Sequence, residues 1–215
     1  MADSRTPRTS QAGPHRRLGE TVSRHLRHRW QSPIHDYSLQ AFARLAESRD
    51  PDRPLVLDSG CGTGESTARL AHAHPDCLVV GVDKSLARLG KAPERPANAR
   101  LVRAELADIW RLMGEAGWRP AHHYLLYPNP WPKPGHLKRR WHGHPAFPDL
   151  LALGGRLVLR SNFELYVDEF ARALALAGVV DVKVVSFQVD EPVSPFERKY
   201  AQSGHRLFQL TAILE

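Results

Sequence analysis

A glycine-rich turn, with an aspartate 23 residues after its first glycine, is the feature of this chain whose residue types and spacing most directly suggest chemistry. The apolar run Leu55–Asp58 leads into Gly60, Gly62 and Gly64, and Asp83 follows the next apolar run. Glycine has no Cβ, so the backbone can approach a ligand closely and adopt positive φ. A carboxylate at the end of a second parallel strand can accept hydrogen bonds from both hydroxyls of a ribose. The pattern predicts a site for a nucleotide-like cofactor.

The glycine spacing favours S-adenosylmethionine as that cofactor. The last glycine lacks the wider spacing found in dinucleotide-binding enzymes, and the turn lacks the Gly-Lys-Ser/Thr ending of a phosphate-binding loop. We interpret Asp58 as a contact of the cofactor's amino acid end, directly or through water, and Glu105 as a contact near its adenine. Two alternatives stay open, in which Asp58 only caps the turn and Glu105 is a solvated residue in the first turn of a helix.

A second group of residues indicates a nucleic acid partner. The stretch Tyr127–Trp141 contains two tryptophans, four prolines and four cations, and it contains no acidic residue. This composition is typical of a stiff, basic loop, in which Lys138, Arg139 and Arg140 would contact phosphates. Trp131 either anchors the loop to the core or stacks on a base.

The distribution of charge supports the same partner. Of the net charge of +7, residues 1–30 contribute +5 and the loop of residues 127–141 contributes +4, which leaves −2 for the rest of the chain. Two positive patches on a nearly neutral body favour binding to a phosphate backbone. The alternative is that the first patch is a solvated tail and the second a surface turn.

Several motifs in the chain carry a resemblance to a known family. In chain order, they are Tyr127–Lys133, His136–Arg140, Ser161–Tyr166 and Ser194–Tyr200 with the later Gly204. They are similar to the Phe-Pro-Asp-Pro-Trp-Pro-Lys, His-x-Lys-Arg-Arg, Thr-Asp-x-x-x-Tyr and Thr-x-x-Glu-x-Lys-Phe/Tyr motifs of the bacterial tRNA guanine-N7 methyltransferases. The resemblance runs from about Leu55 to the C-terminus.

This resemblance implies roles for individual residues. Cofactor contacts are expected at Asp58, Asp83 and Glu105. Asn129 stands where the family has a catalytic Asp, and we expect it to be catalytic and to face the cofactor, while Asn162 replaces a substrate-binding Asp. The expected substrate contacts are Lys133, His136, Lys138, Arg139, Arg140, Asn162, Ser194, Glu197 and Lys199.

The two asparagines predict slower or altered catalysis. Guanine N7 carries an in-plane lone pair, so methyl transfer needs no prior proton removal and depends on alignment and electrostatics. Asn129 can still orient a base, because its amide offers both a donor and an acceptor. Three alternatives remain: methylation of an exocyclic amine, since Asn129-Pro-Trp-Pro is close to the Asn/Asp-Pro-Pro-aromatic loop of such enzymes; a tRNA-binding accessory protein without catalysis; and a small-molecule methyltransferase.

Alternating strands and helices are predicted to position these residues. The apolar runs predict strands at Leu55–Ser59, Cys77–Val82, Leu101–Arg103, Tyr124–Tyr127 and Leu157–Arg160, with a terminal pair at Val182–Val189 and Leu207–Leu214. We therefore expect an α/β fold with a Rossmann-like, doubly wound, seven-stranded sheet that is mostly parallel and has an antiparallel C-terminal strand. We expect residues 1–17 to be a basic disordered tail, 18–50 an N-terminal helical segment and 51–215 the methyltransferase domain.

Other classes of protein fit the composition poorly. Two cysteines are too few for a disulfide framework or a cysteine-based zinc site, which favours the reducing cytoplasm. No apolar run approaches membrane-spanning length. Five histidines fall between residues 122 and 144, but no acidic residue or cysteine lies among them, so we expect no metal site. We expect a monomer or a weak homodimer.

Overall fold

The computed structural model describes residues 4–215, which fold around one seven-stranded sheet with the strand order β3-β2-β1-β4-β5-β7-β6. The strands are β1 (Leu55–Ser59), β2 (Leu78–Asp83), β3 (Ala99–Arg103), β4 (His122–Leu126), β5 (Gly155–Ser161), β6 (Val182–Phe187) and β7 (Leu207–Leu214). Strand β7 runs antiparallel to both of its neighbours, and the pairings among β1 to β5 are parallel. The predicted fold class is confirmed.

Helices cover the faces of the sheet. They are α1 (Leu18–Arg27), α2 (Asp36–Glu47), α3 (Glu65–Ala73), α4 (Leu86–Leu89), α5 (Leu106–Glu115), α6 (Phe147–Ala152), α7 (Glu164–Leu176) and α8 (Pro195–Gln202). Helix α8 has no counterpart among the predicted elements, because it is short and its residues are mostly polar. Its start is set by the Ser194 side chain, which accepts a hydrogen bond from Glu197 N.

The central strands explain why the chain folds in this way. Every residue of β1 and of β2 is buried, as expected for parallel strands with helices on both faces. A large apolar core lies between the sheet and the helices, with Trp110, Phe147, Tyr166 and Phe170 fully buried in it. Because β1 to β5 are parallel, their carboxyl ends meet at one edge of the sheet, where the predicted site residues follow them.

The N-terminal segment differs from the expected disordered tail. Residues 4–17 form no strand and no helix, yet they lie against the body of the protein. Gln11 Nε2 and His15 N donate hydrogen bonds to Glu169 Oε1 at 3.0 and 2.8 Å, and Ser4 N donates to Ser203 Oγ at 3.2 Å. The structure therefore places residues 4–17 against Glu169 on α7 and Ser203 at the end of α8, where we expected a free tail. Residues 1–3 of the predicted tail lie outside the described part of the chain.

Within residues 4–215, no helix has the length and apolar character required to cross a membrane. Cys61 and Cys77 are both free thiols.

Candidate active site

The carboxyl edge of the parallel strands brings five of the predicted site residues together. Asp58 lies in β1, Asp83 ends β2, and Glu105 caps α5 just after β3. Asn129 and Asn162 follow β4 and β5 in the same way. From β1, the chain first adds β2 and β3 on one side and then β4 and β5 on the other. Open α/β sheets bind ligands at the carboxyl ends of the strands beside such a change in strand order.

The three glycines of the turn after β1 all have positive φ, but they differ in the space around them. Gly60, Gly62 and Gly64 have φ of 82°, 62° and 80°, which side chains with a Cβ rarely adopt. A Cβ at Gly62 would have no neighbour within 4 Å, and one at Gly60 would meet only Leu106 at 3.9 Å, so both glycines border open space. A Cβ at Gly64 would lie 2.7 Å from Leu101, so this glycine serves close packing of α3 on β3.

Asp58 binds two hydroxyl groups in the first turn of α3 and leaves one of its own oxygens without a partner. Its Oδ2 accepts hydrogen bonds from Ser66 Oγ at 2.6 Å and from Thr67 Oγ1 at 2.7 Å. Its Oδ1 is buried and accepts no hydrogen bond from any described residue. Burial raises the pKa of Asp58 to about 6, although the two hydroxyl groups act in the opposite direction. A buried acceptor without a partner suits a ligand that brings a donor or a positive charge.

Asp83 organises the turn from the neighbouring strand. Its Oδ2 accepts a hydrogen bond from Gly62 N at 3.1 Å, and its Oδ1 accepts one from Ser85 N at 2.8 Å. Arg88 on α4 forms an ion pair with Oδ1 at 3.0 Å. A carboxylate can accept about four hydrogen bonds, so capacity for a ribose hydroxyl remains beside these partners.

Glu105 connects the N-terminal helices to this edge. Its carboxylate accepts a hydrogen bond from Tyr37 Oη at 3.1 Å and lies 3.7 Å from Lys84 Nζ, while its backbone N donates to Ser38 Oγ at 3.2 Å. Helix α2 therefore lies against the start of α5, where the adenine contact is predicted. The half-buried position of Glu105 differs from that of a freely solvated helix residue.

The loop after β4 has a strained backbone. Tyr127 and Trp131 have positive φ of 51° and 43°, and they are the non-glycine residues with this conformation among residues 4–215. Between them, Asn129 is exposed, and its Oδ1 accepts a hydrogen bond from Trp131 N at 3.2 Å. This Asx turn fixes the direction of the Asn129 side chain. Strained backbone that surrounding contacts enforce is concentrated at functional sites.

Arg140, which we predicted to contact a phosphate of the substrate, lies inside the protein instead. Its side chain is fully buried, where it forms an ion pair with Glu169 and donates to Gln11 Oε1 at 2.7 Å. The same guanidinium donates to the backbone oxygens of Trp131 at 3.1 Å and Lys133 at 3.3 Å. Five donors in a rigid plane suit this task, because a single side chain can hold several carbonyls of one loop.

Glu169 is the acceptor at the centre of this cluster. Burial alone would raise its pKa, but hydrogen bonds and charge from His142 and Arg140 bring the pKa to about 2. Burial lowers the pKa of His142. Arg140 supplies the positive charge that keeps Glu169 ionised, so the cluster is a buried ion pair that joins α7, the loop after β4 and the N-terminal segment.

The remaining cations of the loop are exposed, as RNA contacts require. Lys133, Lys138 and Arg139 all face solvent. The Arg139 guanidinium lies 4.7 Å from the centre of the half-buried Trp131 ring, and His136 meets that ring edge-on at 5.4 Å. The Trp131 ring thus packs between loop side chains at the surface and is not inserted in the core.

A groove of about 800 Å³ separates this loop from the N-terminal segment. Its walls are residues 11–17 with Thr21 on one side and part of the 3₁₀ helix Pro134–Arg139 on the other. Arg16, Arg17 and Lys138 give it a positive charge, and Arg17 also pairs with Glu20 at 2.9 Å. A second groove, of about 430 Å³, lies between α1, α5 and α6, away from the glycine turn.

Two predicted substrate contacts, Ser194 at the N-cap of α8 and Glu197 on this helix, also lie inside the protein. Glu197 is fully buried and accepts hydrogen bonds from Tyr127 Oη at 2.8 Å, Arg160 at 3.0 Å and Val193 N at 2.7 Å. Ser194 is buried and uses its hydroxyl oxygen to cap the helix. Glu197 holds α8 against the loop after β4 through Tyr127, and Ser194 fixes the start of the helix. Of the three predicted contacts in this motif, Lys199 alone is exposed.

Asn162 lies at the same edge with its amide engaged. His205 Nε2 lies 2.6 Å from Ser4 O, and since a carbonyl cannot donate, this ring nitrogen carries the proton. His205 Nδ1 is then the acceptor for Asn162 Nδ2 at 2.9 Å. An aspartate at position 162 would place a carboxylate oxygen against the lone pair of His205 Nδ1, and two acceptors repel each other. The amide of Asn162 can donate to this nitrogen, which gives a physical reason for the asparagine. The Asn162 side chain is mostly buried, and its Oδ1 acceptor is not used by this hydrogen bond.

Residues that sequence reasoning missed hold these parts together. Arg198 on α8 forms an ion pair with Glu65, the first residue of α3 after the glycine turn. Tyr127 links the loop to Glu197, and Glu169 anchors Arg140. Their roles depend on contacts between distant segments, and no local pattern in the sequence marks them. Among residues 4–215, no group of three or more His, Cys, Asp or Glu side chains is arranged to hold a metal ion.

Comparison with known proteins connects this geometry to one family. A family model described as "Putative methyltransferase" matches residues 52–210. A tRNA (guanine-N(7)-)-methyltransferase of Nocardioides sp. is 30% identical over 195 residues, covering 85% of this chain and 76% of the relative. A protein of the same name from Mycolicibacterium gilvum is 32% identical over 169 residues, covering 68% of this chain and 62% of the relative.

Solved structures with lower identity show the same fold. A crystal structure of a 16S rRNA methyltransferase aligns with a TM-score of 0.57 and 20% identity, covering 86% of this chain and 95% of the other. A 16S rRNA (adenine(1408)-N(1))-methyltransferase from Catenulisporales acidiphilia aligns with a TM-score of 0.55 and 21% identity, covering 86% and 93%.

Proposed function

The chain belongs to the bacterial tRNA (guanine-N7-)-methyltransferase family, and from that membership we propose that it transfers a methyl group from S-adenosylmethionine to N7 of a guanine in tRNA. One observation carries the proposal. The glycine turn, with open space at Gly60 and Gly62, lies at the same edge of the sheet as the unpartnered Asp58 oxygen and the strained loop with Asn129.

The residues at this edge fit the cofactor. We assign the ribose to Asp83, the amino acid end to Asp58, directly or through water, and the adenine to the neighbourhood of Glu105. The buried Oδ1 of Asp58, which lacks a partner, suits a positively charged ligand group. S-adenosylmethionine supplies, when bound, a methyl group made electrophilic by a positively charged sulfur. The carboxylates and the turn backbone bind and orient this ligand.

The protein's part in the reaction is alignment and charge stabilisation. Guanine N7 needs no general base, so the loop after β4 has to hold the base plane in the right direction as the ring becomes cationic. Asn129 supports this role because its Oδ1 is fixed by Trp131 N, which leaves the side-chain Nδ2 and the outer face of the amide for the base. Arg140 supports it indirectly by holding the loop carbonyls from inside the protein.

The tRNA would lie across the basic side of this loop. The exposed Lys133, Lys138 and Arg139 and the positively charged groove beside the N-terminal segment supply phosphate contacts. We infer a monomer or a weak homodimer, and two free cysteines suit the reducing cytoplasm.

Substitution of Asn129 by aspartate should increase turnover by roughly 10-fold, since a negative charge beside a base that becomes cationic stabilises the transition state. An aspartate can form the same turn with Trp131 N, so the loop geometry should be kept. The measurement is kcat at saturating tRNA and cofactor. Gln40→Glu, which adds a charge at an exposed position of α2, is the control and should leave kcat unchanged. Unchanged or abolished activity of Asn129→Asp would show that this account of the asparagine is wrong.

A tRNA transcript made with 7-deazaguanosine tests the proposed acceptor atom. This transcript keeps every exocyclic amine but has carbon at position 7, so we expect it to accept no labelled methyl group from S-adenosylmethionine. It should still compete with the ordinary transcript, which shows that it binds. Equal labelling of both transcripts would identify an exocyclic amine or another atom as the acceptor and would refute transfer to N7.

A further inference from the structure

Helix α8 exposes an aromatic side chain beside the candidate active site. Its Ser194 and Glu197 are turned into the protein, as described above, and this leaves Phe196 on the outer side with 45% of its surface exposed. Lys199 is exposed on the same helix. The part of this motif that an RNA can reach is therefore the aromatic ring with its neighbouring cation, and not the buried carboxylate.

Phe196 is the outer end of a row of rings that leads to the active site. Its ring lies 6.0 Å from the Tyr200 ring at an interplanar angle of 27°, and Tyr200 stacks on His205 at 5.3 Å and 11°. The Tyr127 ring also packs against Tyr200, at 5.5 Å. His205 is the partner of Asn162, and Tyr127 begins the strained loop that carries Asn129.

Two further contacts fix α8 beside the glycine turn. Arg198 pairs with Glu65 at the start of α3, and Tyr127 Oη donates to Glu197 at 2.8 Å. The helix is thus held both at the predicted cofactor site and at the loop after β4. A ring mounted on this helix has a defined position, which is the property that a binding platform needs.

Ordinary surface exposure is the alternative explanation for Phe196. Single exposed apolar side chains are common and need no function. Among residues 4–215, the other large hydrophobic side chains that are clearly exposed are aliphatic, such as Leu86 at 64% and Val180 at 97%. Phe196 differs from them because it is aromatic, stacked on a second ring and placed at the edge of the candidate site.

We propose that Phe196, backed by Tyr200, is a stacking platform for a nucleobase of the RNA substrate that has left its own stack beside the active site. RNA-binding proteins recognise unstacked bases by stacking them on aromatic side chains. Every base has a π face, so such a platform gives affinity with little sequence preference. Lys199 and the basic loop then hold the phosphates on either side. This proposal rests on the proposed function, in that it takes RNA to be the substrate.

Three variants test the platform. Phe196→Ala should weaken tRNA binding by roughly 10- to 100-fold, the range found when a base-stacking ring is removed. Phe196→Trp should keep binding within about 3-fold of the unchanged protein, because a tryptophan ring offers a larger face. Val180→Ala, at an exposed aliphatic position, is the control and should change nothing. Binding is measured with labelled tRNA, and affinity for S-adenosylhomocysteine is measured by calorimetry on the same samples.

Two readouts separate a platform from a structural role. Affinity for S-adenosylhomocysteine and the melting temperature should stay unchanged in Phe196→Ala, and addition of tRNA should quench more tryptophan fluorescence in Phe196→Trp than in the unchanged protein. Loss of cofactor affinity together with tRNA affinity, or normal tRNA binding by Phe196→Ala, would overturn the proposal. These are binding measurements, so they report on the platform even if the protein transfers no methyl group, a result that would refute the proposed function alone.

Discussion

Replacement of Asp83 by alanine is expected to weaken S-adenosylmethionine binding by about 100-fold or more, since hydrogen bonds that involve a charged group are each worth about 1.5–3 kcal/mol. The carboxylate also accepts from Gly62 N and Ser85 N, so the variant loses both the proposed ribose contact and the acceptor that shapes the turn. Isothermal titration calorimetry with the purified protein measures the affinity directly.

Two further variants make the Asp83 result specific. Asp83→Asn keeps an acceptor for Gly62 N and should lose less affinity than Asp83→Ala. Asp108 on α5 is another buried carboxylate, and it accepts a hydrogen bond from His35 N at 3.1 Å. The control variant Asp108→Asn should reduce stability without changing cofactor affinity. Binding by Asp83→Ala within 3-fold of the unchanged protein would show that the cofactor lies elsewhere.

The substitution Glu169→Gln is expected to destabilise the fold by about 3–5 kcal/mol, because it leaves the fully buried Arg140 without a compensating charge. For a chain of this length, the melting temperature should fall by about 10 °C. The neighbouring Asp168 forms an exposed pair with Arg172, so Asp168→Asn is a matched control on the same helix that should cost less than about 0.5 kcal/mol. A loss below about 1 kcal/mol in Glu169→Gln would contradict the stabilising role of this buried ion pair.

Acid unfolding gives a second measurement of the same cluster. The pKa of Glu169 in the folded protein, about 2, lies below its ordinary value of 4.5, so the folded state favours the ionised form. Its contribution to stability is therefore complete above pH 4.5 and is lost as the pH falls toward 2. Stability measured by urea unfolding should decrease over this range in the unchanged protein, and the decrease should be smaller in Glu169→Gln.

The sheet and the cofactor edge were predictable because their signals are local. Continuous apolar runs mark the strands β1 and β2, whose residues are buried on both faces. The glycines and Asp83 follow these runs directly, and parallel strands bring such residues to one edge whatever the details of packing. The positions of Asp58, Asp83 and Asn129 therefore follow from the order of elements alone.

The roles of the charged residues could not be predicted in the same way. Arg139 and Arg140 are adjacent in the sequence, yet one is exposed and the other fully buried. The difference depends on Glu169, which lies 29 residues beyond Arg140 on α7, and on Gln11 from the N-terminal segment. Glu197 is likewise buried, because Tyr127 and Arg160 donate hydrogen bonds to it inside the protein. The residue spacing within its own motif does not reveal these partners.

The N-terminal segment illustrates the limit of composition. Arginine, serine and proline are typical of disordered tails, and residues 4–17 form no regular element. Their order comes from single hydrogen bonds, such as that of His15 N with Glu169, whose acceptor lies 154 residues away. Burial of the Leu18 side chain at the start of α1 then fixes the direction of the segment along the basic groove.

Mass spectrometry of nucleosides tests the central claim most directly. Unmodified tRNA is incubated with the purified protein and S-adenosylmethionine carrying a heavy methyl group, and the RNA is then digested to nucleosides. The account predicts that the heavy label appears in 7-methylguanosine and that Asp83→Ala greatly reduces it. Label in a base methylated on an exocyclic amine, or no label in any nucleoside under conditions in which the protein binds both ligands, would contradict it.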